Sequence, residues 1–189
     1  MTILPHTATT KLSEIDPGPQ CPDTVRMIVE IGKGSTNKYE YDIDLGVFRL
    51  DRVLYSPMHY PGDYGFIPGT IAEDGDPIDV LTLVDQPSFP GCVTDVRPVG
   101  MLEMIDDAEV DHKIIAVPLR NPRFDQIRMM DEIPDHVRRE VEHFFEIYKE
   151  LEGRTVKTRG WHSLDTAHKA IRSSRERFIS TRIDAAESK

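Results

Sequence analysis

The first regular pattern in the chain is an alternation of apolar and polar residues that begins at Val25. In V-R-M-I-V-E-I, every second side chain is apolar, which predicts a strand with one buried face. Residues 38–43, K-Y-E-Y-D-I, alternate in the same way, and G-K-G-S-T-N between the two segments is typical of a turn. We therefore predict one hairpin, whose polar side presents Glu30, Lys38 and Glu40 together.

The middle of the chain, from about residue 46 to 120, is rich in glycine and proline. Short runs with β propensity interrupt it, among them V-F-R-L, I-D-V-L-T-L-V and K-I-I-A-V-P-L. Many short strands separated by turns favour a closed or nearly closed barrel over alternating β-α units.

Helical spacing appears only late in the sequence. After Pro134, apolar residues recur at steps of four and three, which predicts a helix that ends near Gly153. A second helical stretch follows Ser163. The predicted fold is mainly β with α (α+β). The apolar stripe of the first helix consists of Val137, Val141, Phe144, Tyr148 and Leu151.

Length and composition favour a single domain, because 189 residues with 39% hydrophobic residues suit one core. Residues 1–24 carry four prolines and show no period, so we predict a loosely attached arm. The domain is expected to span 25–178, followed by a frayed tail, 179–189.

The charge of the chain narrows the class of its ligands. A net charge of -10 disfavours general binding to nucleic acid or to an anionic membrane, since both require a positive field. No stretch approaches the roughly 18 apolar residues of a membrane span, and the first residues lack the pattern of a signal peptide. We expect a cytoplasmic protein, with Cys21 and Cys92 reduced.

Three carboxylates crowd the segment D-G-D-P-I-D-V-L: Asp74, Asp76 and Asp79. Carboxylates this close repel one another unless a positive group lies among them, and a hard divalent cation such as Mg²⁺ or Ca²⁺ prefers oxygen ligands. The spacing does not match an EF-hand loop, because Asp79 stands where that loop requires glycine. A solvated acidic turn is the alternative interpretation.

A second acidic cluster lies in M-I-D-D-A-E-V-D-H-K, which holds Asp106, Asp107, Glu109 and Asp111. By itself this segment is typical of an exposed hairpin loop. If strands bring the two clusters side by side, however, they form a pocket for several divalent ions. Neighbouring metal ions lower the pKa of a shared water and stabilise both ends of a phosphoryl displacement.

Basic and phenolic residues near these clusters could bind a phosphate. Lys38 alternates with Glu40, Arg52 follows the strand V-F-R-L-D, and Tyr148 and Lys149 are adjacent on the first helix. Each residue alone is compatible with a surface cation or a core tyrosine, but phosphate oxygens accept hydrogen bonds from all these donors.

Taken together, these segments resemble the soluble family I inorganic pyrophosphatases. D-G-D-P-I-D-V matches the family signature. The family's order of motifs is followed over residues 25–172 by V-E-I, K-Y-E, D-R, Y-P-G-D-Y-G-F, R-P-V-G, D-D-x-x-x-D-x-K, H-F-F-E-x-Y-K-x-L-E and G-W. The resemblance implies a five-stranded OB-type closed barrel with the C-terminal helices outside.

The resemblance also implies an activity, the hydrolysis of pyrophosphate to two phosphates by direct attack of a metal-activated water or hydroxide. It implies three to four Mg²⁺ ions per site with substrate, Mn²⁺ or Zn²⁺ as substitutes, inhibition by Ca²⁺, and a homohexamer. The family's metal ligands correspond to Asp74, Asp79, Asp106 and Asp111, with Glu40 and Glu30 acting largely through water.

The resemblance assigns the remaining family roles, activation of the attacking water and binding of phosphate, to one acidic residue and six hydrogen-bond donors. Asp76 matches the residue that orients and deprotonates the attacking water. The phosphate-binding donors correspond to Lys38, Arg52, Tyr64, Lys113, Tyr148 and Lys149. Position 63 departs from the pattern, because Asp63 stands where many members have asparagine and is expected to add negative charge near the site.

Two other classes remain as alternatives. A non-catalytic protein that binds divalent ions would keep the carboxylates but would not need the cations to converge on them. An OB-type nucleic-acid binder would show a basic groove with stacking aromatic residues, which the net charge of -10 disfavours.

Overall fold

Strands dominate the first two thirds of the protein and helices follow them, as the sequence predicts. The computed structural model describes residues 11–106 and 109–187. Within these ranges the strands are β1 (Val25–Ile31), β2 (Asn37–Asp42), β3 (Val47–Val53), β4 (Asp63–Phe66), β5 (Asp79–Thr82), β6 (Val93–Asp106), β7 (Glu109–Pro118) and β8 (Val156–His162). The α-helices are α1 (Asp135–Ile147) and α2 (Leu164–Glu187), and short 3-10 helices cover Leu12–Glu14, Pro122–Phe124, Met130–Glu132 and Glu150–Glu152.

Five of the strands close into a ring in the order β1-β4-β5-β7-β6, which returns to β1. The pairing of β5 with β7 is parallel and the other pairings in the ring are antiparallel. Strand β6 closes the ring because its start pairs with β1 while the strand also pairs with β7; its end pairs in addition with β8, which lies outside the ring. The predicted mainly-β fold with a closed ring of five strands and helices outside is confirmed.

The hairpin predicted from residues 25–43 is wrong in its pairing. β2 pairs with β3 in a separate two-stranded sheet, and β1 pairs with β4 and β6. A tight turn accounts for the choice. The amide of Gly46 donates to the carbonyl of Asp42 at 2.7 Å, and Gly46 has φ +69, which favours glycine. This turn brings β3 directly back along β2.

The two α-helices cover the sheet through buried apolar side chains. α1 buries Val141, Phe144 and Phe145, and α2 buries Ala167 and Ile171. The stripe predicted for the first helix fails at its last position. The α-helix ends at Ile147 and a 3-10 turn follows, so the side chain of Leu151 is 62% exposed. In the described ranges, no helix is long and apolar enough to cross a membrane.

Both ends of the domain differ from the sequence prediction. Residues 11–24 belong to the segment expected to be loosely attached, yet they pack on the domain. The carbonyl of Ser13 accepts from the amide of Gly69 at 2.8 Å, and the amide of Leu12 donates to the hydroxyl of Tyr41 at 3.0 Å. Residues 1–10 lie outside the described ranges. The tail predicted to fray continues α2 as far as Glu187.

Candidate active site

One cleft of about 410 Å³ gathers nearly all the candidate residues. We call it the acidic cleft. It lies between β2, the loop before β5, the β6–β7 hairpin, the end of α1 and one face of α2. The predicted site residues that line it are Glu30, Lys38, Glu40, Tyr64, Asp74, Asp76, Asp79, Asp106, Asp111, Lys113, Tyr148 and Lys149.

The pairing of β5 with β7 builds the centre of the cleft. Asp79 and Lys113 are partners in this parallel register, and Asp111 lies two residues before Lys113, on the same face of β7. The ammonium of Lys113 binds both carboxylates, and the hydroxyl of Tyr64 donates to Asp79 at 2.6 Å. Burial by itself would lower the pKa of Lys113, but Asp79 and Asp111 outweigh it and raise the pKa.

A second ion pair joins Asp106, the last residue of β6, to Lys149, which follows the end of α1. Lys149 is only 7% exposed, and its ammonium binds one carboxylate oxygen of Asp106. The sequence predicted that Lys149 points away from the apolar stripe. It does so, but into the cleft, because the helix has ended at Ile147. The other oxygen of Asp106, Oδ1, is buried and has no hydrogen-bond partner among the described residues. Asp107, from the same acidic cluster, lies outside the described ranges.

The acidic loop, residues 70–78, carries the carboxylates of the opening cluster. Gly75 allows its turn, with φ +95 and no atom within 4 Å of the position of a Cβ. The amide of Asp76 donates to the carboxylate of Asp74 at 3.0 Å. Burial, followed by the charges of Asp74 and Asp79, raises the pKa of Asp76. The loop therefore holds an acid whose environment favours proton uptake.

Glu30, Lys38 and Glu40 meet in the cleft although β1 and β2 do not pair. The carboxylate of Glu30 accepts from the amide of Tyr41 at 2.7 Å, and Lys38 forms an ion pair with Glu40. Burial raises the pKa of Glu30 to about 8, against the lowering effect of the Tyr41 amide.

Arg52 is the predicted site residue that lies outside the lining of the acidic cleft. It neighbours Lys38 across β2 and β3, but its Nε donates to Glu152 at 2.9 Å and its Nη1 to Asp51 at 2.5 Å. Its Nη2 is buried without a partner in the described ranges. Glu152 was not singled out from the sequence, although it ends the motif H-F-F-E-x-Y-K-x-L-E.

One expectation about a neighbouring residue is corrected by the structure. Asp63 was expected to add charge near the site. It faces away from the acidic cleft, because it precedes Tyr64 on β4 and successive strand residues point to opposite faces. Its carboxylate accepts from the amides of Lys33 at 2.9 Å and Ser88 at 3.0 Å. Tyr60, four residues before Tyr64 in the same motif, is 2% exposed and packs on Phe144.

Helix α2 forms a wall of the cleft that sequence reasoning missed. Ala170, Ser174 and Arg177 line it. Local sequence carries no signal for this position, because the path of α2 across the sheet depends on tertiary packing.

The donors in the cleft suit a hard divalent cation, which prefers carboxylate oxygens, and the unpartnered Oδ1 of Asp106 is one such oxygen. In the described ranges, no three His, Cys, Asp or Glu side chains stand together in a metal-binding group. Lys113 and Lys149 instead occupy oxygens of Asp79, Asp111 and Asp106. The chemistry of these donors therefore fits a divalent cation, while ammonium groups bind three of the carboxylates in this structure.

Comparison with known proteins shows which chains this one is similar to. The inorganic pyrophosphatase of Geobacillus stearothermophilus is 48% identical over 147 residues, which cover 78% of this chain and 89% of that protein. The inorganic pyrophosphatase of Haloferax volcanii is 50% identical over 159 residues, which cover 84% of this chain and 90% of that protein. The crystal structure of inorganic pyrophosphatase from Thermus thermophilus superposes with a TM-score of 0.87 at 45% identity, covering 89% of this chain and 99% of that one.

The family model for inorganic pyrophosphatase matches residues 27–179. This match covers the ring of strands, the acidic cleft and most of α2. The chain therefore belongs to the family I inorganic pyrophosphatases.

Proposed function

We propose that the chain hydrolyses inorganic pyrophosphate to two phosphates by direct attack of water, with Asp76 as the group that orients the water and accepts its proton. The observation that carries the proposal is the pairing of Lys113 with both Asp79 and Asp111 in the acidic cleft, beside the loop of Asp76. Buried cations and crowded carboxylates together suit an anionic substrate that arrives with metal ions.

Asp76 suits the role of proton acceptor by position and by environment. It lies between Asp74 and Asp79 in sequence and lines the cleft. A general base works best when its pKa is near the operating pH, and burial raises the pKa of Asp76 from the ordinary carboxylate range. We infer that it takes the proton released as water attacks phosphorus.

Divalent metal ions complete the proposed site. We assign Mg²⁺ to Asp74, Asp79, Asp106 and Asp111, with Glu40 and Glu30 supporting its waters, and three to four ions per site when substrate is bound. Bound Mg²⁺ acidifies water and neutralises phosphate charge. The carboxylates serve to hold it, and the lysines that occupy them in the structure become available to the substrate.

The phosphate oxygens are assigned to the donors around the cleft. Charge-assisted hydrogen bonds to phosphate are stronger than neutral ones, and the Tyr64 and Tyr148 hydroxyls are kept protonated because burial raises the pKa of both. Positioning and charge neutralisation supply most of the rate in phosphoryl transfer. The proposed donors are Lys38, Arg52, Tyr64, Lys113, Tyr148 and Lys149.

We also propose a homo-oligomer, a hexamer by analogy with the family. Several exposed apolar side chains on and beside β3 support association, since apolar side chains left exposed to water favour burial against a partner. Light scattering coupled to gel filtration tests the mass, and Leu50→Glu is expected to shift it to smaller species. These exposed side chains are Leu45, Val47, Leu50, Val53 and Tyr55. The cytoplasmic location stays a prediction from the sequence.

Phosphate release from pyrophosphate tests the activity. The purified chain is assayed with Mg²⁺, Mn²⁺, Zn²⁺, Ca²⁺ and EDTA, with ATP as a comparison substrate. We expect fast release with Mg²⁺, slower release with Mn²⁺ or Zn²⁺, suppression by Ca²⁺ or EDTA, and little release from ATP. No release with any metal would contradict the proposal and favour the alternative of a protein that only binds divalent ions.

A further inference from the structure

The C-terminal helix contributes a wall to the acidic cleft that the proposed reaction does not use. Ala170, Ser174 and Arg177 are four and three residues apart on α2, so they share one helix face. The helix is fixed to the sheet by Ala167 and Ile171, which are fully buried. This face is therefore a rigid support beside the acidic loop.

Ile71, near the start of the acidic loop, is bound to α2 through both of its backbone polar groups. Its amide donates to the carbonyl of Ser174 at 2.9 Å, and its carbonyl accepts a hydrogen bond from Nη1 of Arg177. Asp74 follows Ile71 by only three residues. The helix thus holds the acidic loop at a point close to the loop's own carboxylates.

The rest of the acidic loop is closed on itself. Thr70 is 1% exposed, and its hydroxyl donates to the carbonyl of Ile67 at 2.5 Å and accepts from the amide of Ile78 at 3.1 Å. The amide of Ala72 donates to the carbonyl of Asp76 at 2.6 Å. Two of these bonds lie within the loop and the third joins Thr70 to Ile67, just before it, so the loop moves as a unit and the attachment at Ile71 helps to set where its carboxylates lie.

We propose that Arg177 is a positioning residue for the reaction. By holding the carbonyl of Ile71 against α2, its guanidinium fixes the acidic loop and sets Asp74 and Asp76 relative to Asp79. The guanidinium is charged at every working pH, so the attachment persists across the range in which the enzyme is assayed. This role rests on the proposed function, since it concerns the placement of the assigned base and metal ligands.

Hydrogen exchange tests the attachment without any assay of activity. In Arg177→Met, the amides of Ile71, Ala72 and Ile78 are expected to exchange about tenfold faster or more, because the variant loses one hydrogen bond from a charged donor. The amide of Leu81 in β5 is expected to keep its rate. Arg182→Met is the matched control: Arg182 lies on the same helix and pairs with Glu14 at 3.2 Å, a residue that does not belong to the acidic loop.

Steady-state kinetics test the consequence. We expect Arg177→Met to lower kcat for pyrophosphate about tenfold with little change in KM, and Arg177→Lys, which keeps a cationic donor, to recover part of kcat. Arg182→Met should behave like the unsubstituted chain. If Arg177→Met does not fold, Arg177→Gln, which keeps a shorter donor, is measured in the same two ways.

The outcomes separate the two proposals. Unchanged loop exchange in a folded variant, or a raised KM with unchanged kcat, would overturn the positioning role, the latter because Arg177 would then bind substrate directly. An unsubstituted chain that does not turn over pyrophosphate would contradict the proposed function, and the exchange rates would still decide the role of Arg177.

Discussion

Lys113 and Asp79 are direct partners across the parallel strands β7 and β5, and the buried ammonium of Lys113 forms an ion pair with the partly exposed carboxylate of Asp79. Asp111 binds the same ammonium from two residues away on β7. One lysine thus stabilises two carboxylates that would otherwise repel each other. The positive group that the acidic sequence requires is present within the chain itself before any metal ion binds.

Removing that cation should make stability depend on metal. In Lys113→Met, Asp79 and Asp111 lose their shared partner, and we expect the free energy of unfolding without divalent ions to fall by about 3 to 5 kcal/mol, as for other broken buried ion pairs. Mg²⁺ should restore part of it by replacing the ammonium. Urea unfolding with Mg²⁺ or EDTA measures both effects.

The exposed Lys157 offers the control for this substitution. Lys157→Met removes the same charge from β8 and is expected to change stability little under either condition. A metal-free Lys113→Met variant as stable as the unsubstituted chain would show that the carboxylates do not need the lysine.

Asp76→Asn should separate turnover from folding. We expect kcat for pyrophosphate to fall about 10²- to 10⁴-fold, the usual contribution of a general base. The melting temperature should stay the same or rise, because the amide removes a charge disfavoured by burial and by Asp74 and Asp79. Glu73→Gln removes the same charge from the same loop and serves as the control; its kcat is expected to stay within about twofold of that of the unsubstituted chain. Turnover retained in Asp76→Asn would remove Asp76 from the mechanism.

Asp63→Asn should affect stability and spare catalysis. The buried carboxylate accepts from the amides of Lys33 and Ser88, and the amide of Ser88 lies within 3.2 Å of both of its oxygens. Asparagine places a donor against one of these amides and removes the charge assistance, so we expect a loss of about 1 to 2 kcal/mol. Urea unfolding and kcat are measured together. A large loss of kcat in a stable variant would place Asp63 in the reaction after all.

His168 should make the protein less stable in acid. Burial lowers the pKa of His168 below its ordinary 6.5, although Asp23, at 3.7 Å, opposes the shift. As the pH falls, the unfolded chain therefore protonates His168 before the folded chain does. The contribution of neutral His168 to stability is complete above about pH 6.5 and is lost as the pH drops through that value toward the folded-state pKa.

Unfolding free energies between pH 7.5 and pH 5 test this dependence. We expect His168→Gln to lose less stability than the unsubstituted chain over that range, because glutamine takes up no proton. His136 is the control, since its side chain is 84% exposed and pairs with Glu140 on the surface of α1. His136→Gln should follow the unsubstituted chain, and identical slopes for all three proteins would contradict the role of His168.

The sequence predicted the elements of the fold better than their pairing. Alternation located β1 from Val25 to Ile31 to the residue, but the same alternation could not show that β2 pairs with β3 instead of β1. Strand β4, in Y-P-G-D-Y-G-F, looks like a turn because its glycine and proline mask a short, fully buried strand. Glycine is required there, since a Cβ on Gly65 would lie 2.0 Å from the carbonyl of Ile28.

The sequence alone shows which chemical groups are available: two acidic clusters, the lysines and tyrosines that could face them, a mainly-β fold and the family. Which of these groups contact one another depends on the tertiary structure. The register of β5 on β7 places Lys113 between Asp79 and Asp111, and the path of α2 places Arg177 on Ile71. The reason is physical: periodicity is a local property of the chain, whereas contacts between residues 34 or 106 positions apart are set by the packing of the whole core.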